Sequence, residues 1–307
     1  MSIIYPNDNS PIWVHYLWMH LIVFIWGFTG ALGKLISIDA LPLVWYRVLL
    51  ATIFLGLFFL LIKKRLELPT KNIFGMLFLN SIIIVVHWVT FYQSIKMSNI
   101  SLTLACLSTG PFFTSILEPL FFKRKILISE ILLGLGIIIG MLILFKSVKG
   151  QQIAVIVGLI SAILSALFSV LNGKIVNKMN PLDISIWEMG IGSIILGVWF
   201  LFDGSLVKII LSPTQSDWIY LVILASLCTS FAFVQSVRIM KYLSPFTVML
   251  TVAMEPVYGI LLALMIFGSS ETMDPLFYIG VSVILTVISV DAYLKRKKRK
   301  KTEKTTF

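Results

Sequence analysis

The chain has 307 residues, of which 58% are hydrophobic and 13% are charged, and its formal net charge is +11. Because soluble proteins carry about 25% charged residues, this composition excludes an ordinary soluble domain and predicts a membrane protein. The two cysteines and three scattered histidines show no metal-ligand spacing and no basis for a disulfide framework, so we expect no metal and no other cofactor.

Ten apolar stretches follow one another along the chain, and each approaches the ~20 residues that a membrane-spanning helix requires. Five lie on either side of a polar hinge at 146–152. The first has no preceding basic residue and no cleavage site, which indicates a retained helix rather than a signal peptide. The predicted fold is therefore an all-α membrane protein with ten transmembrane helices. These spans lie near residues 15–36, 42–62, 73–95, 100–122, 128–145, 152–174, 183–202, 217–240, 246–267 and 275–294.

The second half of the chain repeats the first. Residues 33–36 reappear at 173–176 and Pro111 reappears as Pro256, so the register grows slowly from 140 to 145 positions. Since each copy holds an odd number of spans, the second copy must lie upside down relative to the first. Inverted repeats are typical of secondary transporters, which bind their substrate between the two halves. We predict repeat 1 over 1–146, repeat 2 over 147–294 and a basic cytoplasmic tail over 295–307.

Basic residues indicate how the chain lies in the membrane, because Lys and Arg accumulate on the cytoplasmic side. Nineteen of the 25 basic residues fall on one predicted side, including the run at 295–301, and five fall on the other. We therefore expect both termini to be cytoplasmic. The tail is interpreted as an anchor that meets anionic headgroups of the lipid bilayer. A nucleic-acid-binding arm is not favoured, because no aromatic residues interrupt the basic run.

Four charged residues lie inside predicted spans, where a charge at the centre costs ~2.5–3.5 kcal/mol and so requires an explanation. Glu255 lies near the midplane of span 9, too deep for its carboxylate to reach water, and we interpret it as functional. Arg47, Glu118 and Glu188 lie within two turns of a predicted span end. Each of these three could reach the interface, so a structural or interfacial role is at least as well supported as a transport role.

Spans 4 and 9 each contain a proline at the same place in the repeat. Pro111 and Pro256 cannot donate hydrogen bonds to the carbonyls of Leu107 and Val252, so both helices are expected to kink. Freed carbonyls inside a membrane are tolerated where protein or a water-filled cavity satisfies them. A pair of symmetry-related broken spans therefore points to a substrate site between the halves.

A set of polar and aromatic residues completes the candidate substrate-binding site. His87 either titrates near neutral pH and carries a proton, or it hydrogen-bonds a neighbouring helix. The set suits a zwitterionic or amphiphilic metabolite, although core packing would explain each member equally well. Besides Arg47, His87, Glu188 and Glu255, its members are Trp26, Trp88, Phe91, Asn172, Trp187, Gln235 and Tyr258.

Glycines mark spans 5 and 10. Gly136 and Gly140 form a small-xxx-small face on span 5, which permits close approach of another helix. Gly134 and Gly280 begin the two spans at equivalent places. We expect spans 5 and 10 to buttress the fold or to mediate a homodimer, and not to line the transport path.

Several motifs recur in order in both copies. They are Trp26-Gly27 leading to Lys34, Arg47, Ser94-Ile95-Lys96, Pro111 and the Gly134/Gly140 pattern in the first copy, and Met240-Lys241-Tyr242-Leu243-Ser244-Pro245, Glu255-Pro256, Gly268 with Glu271, and Gly280 in the second. With these motifs the chain resembles the EamA-type carriers of the drug/metabolite transporter superfamily over nearly its whole length.

This resemblance implies ten helices in a 5+5 inverted arrangement, cytoplasmic termini and a multi-pass position in the bacterial inner (plasma) membrane. It also implies a central cavity and the efflux of amino acids, related metabolites or drugs. One motif departs from the family pattern. The family often has Gly-Glu at the end of span 4, whereas here the acid arrives only at Glu130.

The leading hypothesis is a carrier that moves a small organic solute by alternating access, with spans 4 and 9 flexing at their prolines. The coupling ion stays open, because Glu255 or His87 could carry a proton. An intramembrane enzyme is a second class, but the chain has no His-Glu-x-x-His motif and no aspartate deep in a span. Pairing of His87 with Ser81 or Ser94 is the catalytic arrangement left open. A third class is a passive channel or membrane assembly factor, against which the inverted repeat argues.

Overall fold

The computed structural model describes residues 10–125, 128–148 and 150–305. The side chains of Glu130 and of the basic tail lie outside the described part, and so do the expectations that depend on them. The described chain is helical and contains no β-strand, which confirms the predicted all-α class. Because a lipid core offers no water to the backbone, helices that satisfy their own N–H and C=O groups are the expected solution.

Most helices begin and end close to the predicted spans, but the last helix continues to Thr305, eleven residues past the predicted end of span 10. In the first half they are α1 (Ile12–Leu35), α2 (Ala40–Leu61), α3 (Lys71–Met97), α4 (Ile100–Leu107), α5 (Gly110–Phe122) and α6 (Ile128–Ser147). In the second half they are α7 (Gln152–Ile175), α8 (Pro181–Phe202), α9 (Leu206–Ile210), α10 (Gln215–Ile223), α11 (Ala232–Ile239), α12 (Pro245–Val252), α13 (Glu255–Phe267) and α14 (Pro275–Thr305). A π-helix over Leu224–Phe231, called the π segment below, joins α10 to α11, and a 3₁₀ turn over Gly268–Glu271 follows α13.

Eight helical stretches of the described chain are long and apolar enough to cross a membrane. They coincide with predicted spans 1–4 and 6–9, so the chain is a multi-pass membrane protein. Helices α6 and α14 occupy the places of spans 5 and 10, but their apolar parts, Leu132–Ser147 and Pro275–Val287, are shorter. The count of ten transmembrane helices therefore stays a prediction.

Helices α6 and α14 pack against each other along their glycines. A Cβ atom on Gly280 would lie 3.0 Å from the carbonyl oxygen of Gly140, and one on Gly136 would lie 2.7 Å from the side chain of Val287. The small-xxx-small face is thus filled by a helix of the same chain. The large apolar core is built from the other helices, so this pair lies at the side of the bundle as a buttress.

Spans 4 and 9 are both broken in the middle. The first break separates α4 from α5 and the second separates α12 from α13, and Pro111 and Pro256 lie in the first turn of the second piece in each case. Proline is tolerated there because the N–H groups of a first helical turn have no intrahelical partner. At both predicted kinks the α-helix is interrupted for two residues, whose backbone angles stay in the right-handed helical region.

In each half of the chain, a carboxylate accepts backbone hydrogen bonds from the first residues of the other half's broken span. The Glu271 carboxylate accepts hydrogen bonds from the N–H groups of Ile100 and Ser101 at 3.2 and 3.0 Å and pairs with Lys34 at 2.7 Å. The Glu118 carboxylate accepts the Phe246 N–H at 2.7 Å. Both acids are buried, so Glu118 has the structural role that was one of its two interpretations. Carboxylates at helix N-termini satisfy N–H groups that have no intrahelical acceptor.

Candidate functional site

A cavity of about 60 Å³, which opens partly at the surface, lies between the two halves of the chain. The first half contributes residues of α1–α4 to its walls, and the second half contributes residues of α7, α11, α12 and α13. Leu107 and Val252, the last residues before the two breaks, both line it. The broken spans therefore end at the cavity, as sequence reasoning places the site. The predicted residues that line it are Trp26, Arg47, His87, Trp88, Phe91 and Glu255.

Arg47 is fixed in the cavity wall. Its Nε donates to the Thr229 hydroxyl at 2.8 Å and its Nη1 donates to the Tyr92 hydroxyl at 2.9 Å. The guanidinium group lies over the Trp88 ring, 3.9 Å from its centroid, in a cation–π arrangement. Only 2% of Arg47 is exposed, so the expectation that it could reach the membrane interface is wrong. The physical reason is that the three partners satisfy the charge inside the protein.

The π segment contacts two side chains of the cavity wall, those of Arg47 and Trp26. Within it the Thr229 hydroxyl donates to the Leu224 carbonyl five residues earlier, at 2.8 Å, while the same oxygen accepts from Arg47. The carbonyl of Cys228 accepts the Trp26 Nε1–H at 3.0 Å. The wider turn of a π-helix changes which residues face a neighbour, and such turns occur frequently at functional sites. The segment gives no sequence signal that would have predicted it.

Glu255 lies in the same cavity and is the first residue of α13. It is 5% exposed, and no side chain of the described residues pairs with its carboxylate. Pro256 follows it directly, so the acid is held at the start of a half-helix, where the helix dipole favours negative charge. A cation and an acid thus line one cavity without forming an ion pair with each other.

His87 contacts helix α7 as well as the cavity. Its Nδ1 lies 2.9 Å from both the hydroxyl and the carbonyl oxygen of Ser161, and its ring packs against Phe91 and Phe168. The interhelical hydrogen bond that was one interpretation of this histidine is present. Neither serine considered as a partner contacts it, since Ser81 donates to the Leu77 carbonyl and Ser94 bonds to Thr103 and Ala154.

The remaining predicted residues do not line the cavity. Glu188 is buried and accepts hydrogen bonds from Asn80 and Asn172 at 2.6 and 3.4 Å, so the expectation that it could reach the interface is also wrong. Trp187 is half-buried on α8 and donates to the Glu67 carbonyl at 2.9 Å. The last two are Gln235, which is buried in α11, and Tyr258, which packs edge to face against Phe24 of α1.

Sequence reasoning missed cavity residues that the repeat register could have found. Thr29 and Ser169 are 140 positions apart and both line the cavity; so do Trp88 and Phe233, which are 145 apart. Within α7, serines at four-residue spacing form a polar stripe on an otherwise apolar helix, and periodicity would have shown it. The missed lining residues are Thr29, Leu107, Ser165, Phe168, Ser169, Phe233, Ser236, Met240, Val248, Met249 and Val252.

The cavity walls combine apolar, polar and charged surface. Trp26, Trp88 and Phe91 supply aromatic surface, and Arg47 and Glu255 supply opposite charges. Among the residues that the structure describes, no three His, Cys, Asp or Glu side chains are grouped to hold a metal ion. Small-molecule sites in proteins commonly combine apolar surface with a few orienting polar groups.

Both halves of the chain are similar to known membrane transporters. The model of the EamA-like transporter family matches residues 13–146 and 152–290, once in each half. The uncharacterized transporter YxxF of Bacillus subtilis (strain 168) is 24% identical over 254 residues, which cover 80% of this chain and 79% of the relative. A solved crystal structure, described only as that of a protein, has 12% identity and a TM-score of 0.68 and covers 92% of this chain and 99% of its own. That last likeness shows the fold alone.

Proposed function

Because the chain belongs to the EamA-like transporter family, we propose that it is a secondary active transporter that exports a small zwitterionic or amphiphilic metabolite, such as an amino acid. The family and the Bacillus subtilis relative support a membrane transporter. The observation that carries the finer proposal is that Arg47 and Glu255 line one cavity without pairing with each other.

A zwitterionic ligand carries one negative and one positive group, which complement Arg47 and Glu255 of the cavity wall. Removing a charge from water costs several kcal/mol unless a partner compensates it. Arg47 uses Nε and Nη1 within the protein, which leaves donors of its five N–H groups for a ligand carboxylate. Glu255 offers its carboxylate to a ligand ammonium group, and the aromatic walls receive the side chain. One molecule with both charges therefore satisfies both residues.

The architecture that we propose is two inverted repeats of five helices, over 1–146 and 147–294, with the tail at 295–307. The family model matches each half once, and both halves carry a broken span at the same place. The bias of Lys and Arg supports cytoplasmic termini in the inner membrane.

Alternating access follows from this architecture. Access to the cavity changes as the two broken spans flex beside Leu107 and Val252, while contacts between the halves open at one end and close at the other. The ion pair of Lys34 with Glu271 joins the halves at the end of α1, and the ion pair of Lys64 with Asp183 joins them at the opposite end, after α2. Each pair links a residue of the first half to one of the second.

Reconstitution tests the proposal directly. The purified full-length protein in liposomes is expected to move members of a panel of labelled α-amino acids faster than protein-free vesicles do. For the best substrate, the N-acetyl and the methyl ester analogues each lack one charge. Each should move at least about tenfold more slowly, because a lost charge-assisted hydrogen bond costs about 1.5–3 kcal/mol.

The control is Asp203→Asn, which removes an exposed acid that directly follows α8 and does not line the cavity. This variant should retain the flux and the analogue preference of the unaltered protein. If no member of the panel moves faster than in protein-free vesicles, the proposed substrate class is wrong. If both analogues move as fast as the parent amino acid, Arg47 and Glu255 do not bind the two charged groups.

A further inference from the structure

A second polar site lies outside the cavity. The Glu188 carboxylate of α8 accepts hydrogen bonds from Asn80 of α3 and Asn172 of α7, one on each oxygen. Glu188 is 1% exposed and both asparagines are completely buried. Asn80 belongs to the first half of the chain, and the other two belong to the second. We call these three residues the amide–acid cluster.

In the part of the chain that the structure describes, no basic side chain pairs with Glu188. The ion pairs of the described residues involve other acids, namely Glu271, Asp183 and Glu118. Around the cluster, Arg47 is bonded to Thr229 and Tyr92, and His87 is bonded to Ser161. The other charged groups on the surrounding helices are Lys71, Lys96, Lys174, Lys208 and Arg238, and none of them pairs with Glu188. The hydrogen bonds from the two amides are therefore the side-chain contacts that hold the Glu188 carboxylate in the described structure.

The two amides can serve either form of the acid. The side-chain oxygens of Asn80 and Asn172 are buried and lack a partner in the described structure. A 180° rotation of a side-chain amide exchanges the positions of its oxygen and its nitrogen. A charged Glu188 accepts two amide N–H groups, as in the structure. A protonated Glu188 donates its O–H to one turned amide and accepts an N–H from the other, so both forms are hydrogen-bonded.

The cluster is one helical turn from the cavity. Ser165 and Ser169 of α7 line the cavity, and Asn172 follows Ser169 by three residues, or about 4.5 Å along the helix axis. The Ser169 hydroxyl is buried and lacks a partner in the described structure. One turn before Ser165, the Ser161 hydroxyl meets His87. A line of hydroxyl groups thus leads along α7 from the histidine past the cavity to the cluster.

We propose that Glu188, held by Asn80 and Asn172, is the site of the coupling proton, separate from the site that binds the solute. This proposal rests on the proposed transport function. When Glu188 loses the proton, its carboxylate accepts hydrogen bonds from both amides. These bonds link α8 and α7 to α3, which belongs to the other half. Protonation weakens these charge-assisted bonds. The proton therefore acts on the contact between the halves, which must change during alternating access.

Infrared titration of the purified full-length protein tests proton binding without any substrate. We expect a carboxylic C=O band that appears at lower pH and is absent from Glu188→Gln, but present in Asp203→Asn. Gln keeps the shape and hydrogen-bonding capacity of the acid, and thermal unfolding checks that the variant is folded. As a second variant, Asn172→Ala should shift the frequency of that band, because the carboxyl group loses a partner. A titrating band that is identical in Glu188→Gln and the unaltered protein would overturn the proposal.

A pH gradient across liposomes tests coupling. At an exchange of one proton for one zwitterion, a gradient of one pH unit supports about a tenfold accumulation of solute on the acidic side. We expect the unaltered protein to approach this ratio with its best amino acid from the panel, and Glu188→Gln to give a ratio near one. Full accumulation by Glu188→Gln overturns the coupling role. If no solute moves in any variant, the proposed transport function is wrong, and the coupling role of Glu188 is wrong with it. The infrared titration is independent of transport and still decides whether Glu188 binds a proton.

Discussion

The two broken spans share a backbone plan, and the residue that precedes the proline differs between them. Gly110 precedes Pro111 in the first span, and Glu255 precedes Pro256 in the second, 145 positions later. A Cβ atom on Gly110 would lie 2.5 Å from the Met249 Cε atom, which belongs to the other broken span. At the equivalent place in the second half, a buried acid lines the cavity. The two halves thus share the helix breaks, while the residues beside the prolines make the cavity chemically asymmetric.

Arg47 and Glu188 show the same asymmetry. Each is the eighth residue of its helix, α2 or α8, so they occupy equivalent places in the two halves. Arg47 lines the solute cavity, whereas Glu188 lies in the amide–acid cluster outside it. Equivalent positions therefore carry opposite charges with different partners. In the mechanism that we propose, the first half contributes the residue that holds a ligand carboxylate and the second half contributes the proton site.

We expect the largest effect on transport from Glu255→Gln, which removes the charge at the second break. The first break has no charged residue at the equivalent place, Gly110. Flux of the best amino acid should fall at least tenfold, since losing one partner of a buried charge pair costs about 2–5 kcal/mol. Thermal unfolding without substrate should change little, because no side chain of the described residues pairs with this carboxylate. Flux equal to that of the unaltered protein would assign Glu255 to structure alone.

Arg47→Lys should reduce both flux and stability. Lysine has one nitrogen where arginine has three, so it cannot keep the bonds to Thr229 and Tyr92 together with the contact to the Trp88 ring. Each lost hydrogen bond of a charged group is worth about 1.5–3 kcal/mol, which should lower the midpoint of thermal unfolding measurably. Lys208→Arg in the short helix α9 is a matched control. A variant with normal unfolding but reduced flux would place Arg47 purely in ligand binding.

The two acids that hold the broken spans should differ in their effect on stability. Glu271→Gln loses the ion pair with Lys34 and weakens the bonds to Ile100 and Ser101, with a cost of about 1–3 kcal/mol. Glu118→Gln keeps a neutral oxygen for the Phe246 N–H, and its contact with Arg124 is longer, at 3.4 Å. Chemical or thermal unfolding should therefore rank Glu271→Gln as the more destabilising change. The reverse order would contradict the role assigned to these contacts.

The smallest expected effect is that of Gly110→Ala at the first break. The new methyl group would meet the flexible end of Met249 at 2.5 Å, so the cost should lie at or below the ~1–3 kcal/mol of a typical overpacked site. Because Met249 lines the cavity, we expect a modest fall in flux as well. Gly56→Ala is the control, since nothing lies within 4 Å of that position. Equal flux in both variants would show that Met249 can move without affecting the path.

Much of the architecture could be predicted from the sequence because it depends on local composition. Apolar stretches of sufficient length located the helices, and Pro111 and Pro256 located both breaks, since a missing N–H is a property of the residue itself. The high cost of a buried charge drew attention to Arg47 and Glu255, and both line the cavity. Ten spans, the inverted orientation and the cytoplasmic termini stay predictions.

Only the tertiary structure decided which side chains meet. Glu188 faces Asn80, which is 108 positions away, and Arg47 faces Thr229, which is 182 positions away. The π segment that presents Thr229 has no signature in composition or periodicity. By itself the sequence determined where helices form and break, because those properties depend on neighbours within a turn or two. The partners of the buried charges depend on how distant helices rotate and pack together, and that is settled by the whole set of contacts in the folded chain.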